Sequence, residues 1–425
     1  MYPEKSAVQP LLPYEAGPRG LVLAAGVRAG RWVFASGLMP TQFGSAARPL
    51  SGEPRWTTEF RSLWARAQEV LRAGGSDLAH TVRCDQFVRD WRAVPFFHES
   101  RRQACGTHIP PSTTVLEDGL LLPEAGVTMN LVAMAPDAPP ITPLFPAALD
   151  VPATSSFVPV MQCGGFVFVA GLMAAWKPGD LGGIAPEAKV PEGHPWKGNR
   201  IQLELAYLIQ QKLAVALEAA GSSLERIVKA DVPIRDMHDV PAFNQIWAQA
   251  FGGHIPATTF WPTSNPGFAI EDARIEINLV ALTGDLQAER ITLPEAAPTM
   301  CDGYPAAIRA GDLLFFSGMV AADADGLAKR ARIDSCRPYF GSSIEGQMEH
   351  LLSVADAVCR KAGARLENVL RIQHAHTDLH EFYSAVRAWQ HRLPGVPLPI
   401  SAFQVPAPLL VPGCTVQFDL WVYAP

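Results

Sequence analysis

The hydrophobic pattern of this chain repeats itself. Residues 33–40 read VFASGLMP, 167–174 read VFVAGLMA and 314–321 read LFFSGMVA. Each closes a pair of apolar runs set around a polar turn: VLAAGVRAGRWVFASGLM, FVPVMQCGGFVFVAGLM and PAAIRAGDLLFFSGMV. Such runs around RAGR, CGGF or RAGD predict β-hairpins, the glycine supplying the conformation a tight turn requires. A Pro/Gly-rich insertion follows, longest at 175–199. Next comes a helical segment ending in a glycine suited to a C-cap: TTEFRSLWARAQEVLRAGG, QLELAYLIQQKLAVALEAAG and IEGQMEHLLSVADAVCRKAG. In the second of these, Leu205, Leu208, Ile209, Leu213, Ala216 and Leu217 form one apolar stripe at helical spacing.

A strand follows in each copy and ends in an aspartate, Asp90, Asp236 or Asp378, placed to cap a helix or close a turn. A second helix contains FFHESRRQ, FNQIWAQAF or YSAVRAWQH, and two last strands end VTMNLVAMAP, IEINLVALTG and VQFDLWVYAP. Each copy therefore reads ββαβαββ, an α+β arrangement with helices on one face of a mixed sheet. The glycines Gly37, Gly171 and Gly318 lie 134 and 147 residues apart, the scale of a small domain rather than of a solenoid repeat. The expected organisation is an N-terminal extension 1–19, domains 20–136, 154–286 and 303–425, and Pro-rich linkers 137–153 and 287–302.

This order of motifs resembles the Rid (YjgF) family of small enamine/imine deaminases, whose fold is chorismate-mutase-like. The second copy carries the resemblance best, through EAAGSSLERIVKADVPIRDMHDVPAFNQIWAQAFGGHIPATTF and IEINLVAL. Members are usually homotrimers with a pocket at each subunit interface. The resemblance thus implies three tandem domains folding as an intramolecular pseudo-trimer, in which covalent linkage replaces three-body association. It also lets the three interfaces differ.

The family's deaminases carry an arginine in P-A-R-[ST]-x-V that pairs with a substrate carboxylate. Here the segments are PPSTTV, PATTFW and LPISAF, so the position falls on Ser112, on Thr258, and on Ile400 with Ser401 as the neighbouring register. Arg89, Arg200, Arg274 and Arg332 are candidates to compensate. The family's water-positioning glutamate of the last strand maps to Asn130, Asn278 and Asp419, leaving Asp419 as the expected general base. The family's asparagine on the second helix is kept as Asn244 and becomes His98 in the first copy, a candidate proton shuttle. Gly37, Gly171 and Gly318 hold the position whose backbone lines the pocket. Ser112, Thr258, Ser401, Asn244 and Trp261 complete the expected substrate-binding set.

Other residues have two readings. His374 and His376 share a strand face, which suits either packing, acid/base work or a metal pair. Asp85 and Asp231 lie beside Arg83 and Lys229, as a salt-bridged sheet face or as lumenal acids with raised pKa. His108 and His254 precede the pocket loops, either shaping the backbone there or reaching the pocket. Trp176, Trp196 and Trp261 are either insertion packing or the aromatic walls of a pocket.

The 425 residues are 48% hydrophobic and 18% charged, with net charge −6, which fits globular domains and no nucleic-acid partner. No run of about 18 apolar residues predicts a membrane span. The N-terminus lacks a basic-then-apolar signal, so the cytoplasm is the expected compartment. Seven widely spaced cysteines with no CxxC predict buried free thiols and no metal site. No cofactor motif is present. The expected function is hydrolysis or deamination of an imine, enamine or related bond in a small organic molecule at an inter-domain pocket. The alternatives are another reaction on the same scaffold (lyase, cyclase or chorismatase-like hydrolase) and a non-catalytic small-molecule-binding protein. The chain would act as a pseudo-trimeric monomer, with or without further pairing.

Overall fold

A computed structural model describes residues 7–17, 21–43, 54–149, 157–175, 183–265, 267–293, 303–336, 339 and 341–425. Trp176 and Cys301 lie outside these residues. The first unit contains β1 (Gln9–Glu15), β2 (Val22–Ala29), β3 (Trp32–Leu38), α1 (Arg55–Ala73), β4 (Thr81–Val88), α2 (Val94–Cys105), β5 (Ser112–Leu116), β6 (Gly119–Leu120) and β7 (Val127–Met134). The second contains β8 (Thr142–Leu144), β9 (Val160–Cys163), β10 (Phe166–Leu172), α3 (Arg200–Leu208), α4 (Ala214–Ala219), β11 (Ile227–Ile234), α5 (Val240–Phe251), β12 (Ala257–Pro262) and β13 (Ile277–Leu282). A π turn, Ile209–Leu213, joins α3 to α4. The third contains β14 (Ala288–Ile291), β15 (Ala307–Ala310), β16 (Leu313–Phe316), β17 (Met319–Val320), β18 (Ala322–Asp323), β19 (Gly326–Leu327), α6 (Ser343–Lys361), β20 (Val369–His376), α7 (Phe382–Arg392), β21 (Ile400–Gln404) and β22 (Val416–Tyr423).

The sheet orders are β1-β2-β3-β7-β4-β5, β8-β9-β10-β13-β11-β12 and β14-β15-β16-β22-β20-β21, the same path three times. In each, the strands flanking the second helix pair in parallel and their neighbours are antiparallel. The fold is thus α+β, with a repeated unit in one chain. The segments read as extension and linkers also contribute: β1, β8 and β14 each add an edge strand to the hairpin that follows. Local chemistry follows the pattern. Asp90, Asp236 and Asp378 accept the backbone N–H two residues on. Gly75, Gly221 and Gly363 end the first helices at φ of 73°, 63° and 69°, a region costly for residues with a Cβ.

Strands β4, β7, β11 and β20 are buried along their whole length, so both faces of each sheet are covered. Helices cover the outer face, giving one helix–sheet core per unit. The inner faces meet in a shared core drawn from all three units, including Trp32, Phe34, Phe166, Phe168, Phe315 and Trp421. Burying side chains of this size contributes roughly 1.5–3 kcal/mol each. The units also join through backbone: β6 pairs with β21, Ala24 N–H donates to the Leu398 carbonyl, and Gly318 N–H to that of Thr258. Among the described residues, no helix is long and apolar enough to cross a membrane.

Candidate active site

Strand register sets which residues are equivalent. Asp85 lies opposite Asn130 and beside Thr113; Asp231 lies opposite Asn278 and beside Thr259; Gln373 lies opposite Asp419 and beside Ser401. Two residues earlier on the same strands stand Arg83, Lys229 and Arg371. Each unit thus offers one cation and one carboxylate to the centre, the third unit having moved its carboxylate to the adjacent strand. The six groups close a ring. Arg83 pairs with Asp231 at 2.5 Å, Lys229 with Asp419 at 2.6 Å and Arg371 with Asp85 at 3.2 Å, each link crossing between units. Within units, Arg83 meets Asp85 at 2.9 Å, Lys229 meets Asp231 at 3.2 Å, and Arg371 meets Asp419. The 3.2 Å contact of Lys229 is an ion pair without hydrogen-bond alignment, since Asp231 Oδ1 has no hydrogen-bond partner. Arg83 Nη1 and Arg371 Nε also lack acceptors, and both guanidinium groups lie over the Trp421 ring at 5.4 and 4.3 Å.

This ring corrects two expectations. Asp419 is fully buried, and its oxygens are held by Lys229, Thr259 and Arg371. A carboxylate so committed has no access to a substrate proton, so the general-base role does not fit it. Asp85 and Asp231 do face the centre, but Asp231 is not a raised acid. Burial alone would raise it, yet Lys229, Arg83 and Arg371 hold it at about 2. Next to the ring, Phe87 stacks on Phe403 at 3.9 Å and Trp261 meets Phe403 edge-on at 5.5 Å. Trp261 is 3% exposed, an inter-unit plug rather than a pocket wall.

The three interfaces differ. Where the first unit meets the third, Asn130 accepts from Gly37 N–H at 2.7 Å and donates to Ser401 Oγ at 3.2 Å. Gly37 has φ of 60° and faces the Ile400 carbonyl so closely that a Cβ would overlap it. Thr128 Oγ1 donates to the Leu38 carbonyl. Where the third unit meets the second, Gln417 donates to the Phe260 carbonyl at 2.6 Å, leaving its Oε1 without a partner. Ser317 Oγ accepts from Thr258 N–H and donates to the Pro305 carbonyl.

Where the second unit meets the first, the equivalent of Thr128 and Gln417 is Glu276. Its carboxyl has no hydrogen-bond partner among the described residues, and Asn278 Oδ1 has none either. Both side chains are buried, Glu276 to 5% exposure and Asn278 to 3%. Burial, then the charge of Asp85 across the interface, pushes the Glu276 carboxyl up to about 8. The carboxyl lies against Gly171, where any Cβ would collide with it. Sequence reading stopped at Asn278 and did not single out Glu276, two residues before it. The strand alternation in IEINL already puts Glu276 and Asn278 on one face, and that signal could have found it.

The remaining expected site residues are scattered. Register aligns Ile400, not Ser401, with Ser112 and Thr258. Thr258 Oγ1 donates to the Pro256 carbonyl. Ser112 accepts at 2.7 Å from Arg101, a buried residue of α2 that the sequence did not single out. Of the arginines named as compensators, Arg89 binds the Pro123 carbonyl, Arg274 pairs with Asp239 and Arg332 binds the Leu327 carbonyl. Asn244 accepts from Tyr304 at 2.6 Å. His98 sits on α2, where burial, then Arg101 and Arg102, pushes it down to about 3, too low for a shuttle near neutrality.

His374 accepts from Trp389 Nε1 at 3.0 Å and contacts His376 at 3.4 Å. Burial holds both neutral, and no metal-binding group of three or more occurs among the described residues. His108 contacts the Thr81 carbonyl at 2.7 Å, His254 is exposed, and Trp196 is 75% exposed.

The family model described as Endoribonuclease L-PSP matches residues 148–283 and 294–423, over half of the chain. The chain belongs to this family. It is a Rid-like protein with tandem copies, and the first unit repeats the sheet path of the two matched ones. Similar proteins include the RutC family protein UK114 of Drosophila melanogaster, 27% identical over 88 residues, 21% of this chain and 62% of that one. The chain thus spans less than two thirds of the fly protein. Protein mmf2, mitochondrial, of Schizosaccharomyces pombe is 31% identical over 131 residues, 31% of this chain and 96% of that one. Among solved structures, yeast Mmf1 is 25% identical, covering 34% of this chain and 100% of that one with a TM-score of 0.27. A chorismatase is 14% identical, covering 63% and 80% with a TM-score of 0.43.

Proposed function

We propose that the chain is a trimer-like assembly folded into one polypeptide and an enzyme on a small organic molecule, with one working site, between the second and first units. The observation that carries this is Glu276. It is the one ionisable group among the three equivalent positions Thr128, Glu276 and Gln417, and its carboxyl has no hydrogen-bond partner among the described residues. A carboxyl poised near neutrality gives up and takes back a proton at working pH, as general acid/base catalysis needs. Asn278 would orient water or substrate, and Gly171 gives the carboxyl its room. Hydrolysis of a C=N bond fits these parts: Glu276 takes a proton from attacking water and returns it to the leaving nitrogen.

The test is ammonia release from acidic and neutral imines generated in situ, with a semicarbazide trap, comparing the native chain with Glu276→Gln. Release that falls at least a hundredfold in the variant supports the reading. Release unaffected by the variant removes Glu276 from the chemistry. No release from any imine retires the deaminase assignment.

A further inference from the structure

We propose that the site between the second and first units is completed by a small nitrogen base, an amidinium- or guanidinium-type cation donating N–H bonds to Glu276 and Asn278. This rests on the site reading above and adds the class of ligand. At that interface two neighbouring buried side chains lie on one strand face: Asn278, whose Oδ1 is buried without a partner, and Glu276, whose carboxyl receives no hydrogen bond from the described residues. Buried acceptors left unpaired cost about 1–3 kcal/mol each. A ligand that pairs with these acceptors brings donors.

The charge Glu276 feels is Asp85, an anion on β4. The cations of the central ring offer no counterweight, because Arg83 and Lys229 are each spent on two of Asp85, Asp231 and Asp419, and Arg371 on all three. A carboxylate ligand would meet the like charge of Asp85 and, once Glu276 is ionised, that of Glu276 as well. A planar cation with two parallel N–H groups meets the acceptors and favours the ionised form of Glu276. The other two interfaces hold no carboxyl at the equivalent position: Thr128 bonds the Leu38 carbonyl, and Gln417, whose Oε1 is also unpaired, carries no charge, while Asn130 is bonded by Gly37 and Ser401, and Asp419 by Lys229, Thr259 and Arg371.

The test uses three probes of nearly one shape, acetamidinium, acetamide and acetate, followed by ligand-observed NMR on the full chain at pH 8. The variants are Glu276→Gln, which keeps the shape of the neutral acid, and Gly171→Ala, whose methyl displaces the carboxyl. Circular dichroism checks the fold of each. Acetamidinium is expected to bind at least fivefold more tightly than acetamide, and acetate not detectably. Glu276→Gln should weaken acetamidinium at least fivefold. Acetate or acetamide binding as well as acetamidinium, and sensitive to Glu276, overturns the ligand class while the site stands. Binding of no probe that depends on Glu276 or Gly171 overturns both.

Discussion

Replacing Asp419 by asparagine separates a structural ring from a catalytic base. The change keeps the side-chain shape but removes a charge that Lys229 and Arg371 share, both of them at most 1% exposed. Lys229 retains Thr259, the Phe316 carbonyl and Asp231, and Arg371 retains Asp85, so neither cation is stripped completely. Breaking a buried pair by removing one partner costs about 3–5 kcal/mol. Unfolding entropy of about 2.1 cal/mol/K per residue, over 425 residues, is about 0.9 kcal/mol/K for joint unfolding. The expected loss in Tm is therefore about 3–6 °C, read by calorimetry. Units one and two show the cure, since their carboxylate sits where the third unit has Gln373. Gln373→Asp combined with Asp419→Asn restores that arrangement and should recover at least half of the loss. A single variant that melts within 1 °C of the native chain, or a double variant no better than the single, would refute the ring as the clamp between units. Lost turnover with unchanged melting would return Asp419 to the role of base.

Further outcomes follow from the same geometry. Glu276 is raised from 4.5 to about 8, and Glu204 is raised to about 7 by burial despite the backbone N–H groups of Arg274 and Ile275. Acids raised on folding contribute stability that is full below the unfolded pKa and lost as pH rises through the folded one, so Tm should fall between about pH 4.5 and 8. At about 1.4 kcal/mol per pKa unit, Glu276 alone accounts for about 5 kcal/mol of this, and Glu276→Gln should flatten the decline. Asp231, held at about 2, works in the opposite sense, and its contribution is lost as pH falls from about 4 to 2. Gly37→Ala meets both a φ of 60° and the Ile400 carbonyl and should lower stability by more than about 1 kcal/mol in urea unfolding. Among the described cysteines Cys336 is exposed, so thiol titration of the native chain should label it first; Cys84, Cys163, Cys359 and Cys414 are buried and should react only on unfolding.

The alternation and spacing of apolar residues determined the threefold repeat, the hairpins, the helices and their glycine ends, because those depend on contacts a few residues apart. The family resemblance, rather than that spacing, set the expected arginine position at Ser112 and Thr258. What the sequence could not rank was burial. Asp419 read as the surviving acid of a site, yet once three sheets close on one another it becomes one of six charges neutralising each other at their centre. Trp261 read as a pocket wall and turns out to plug the junction of three units. Glu276 looked like one more polar residue of a strand. Only the tertiary structure removes it from water, sets it beside Asp85 and gives it no partner, because desolvation and cross-unit electrostatics depend on residues more than a hundred positions away.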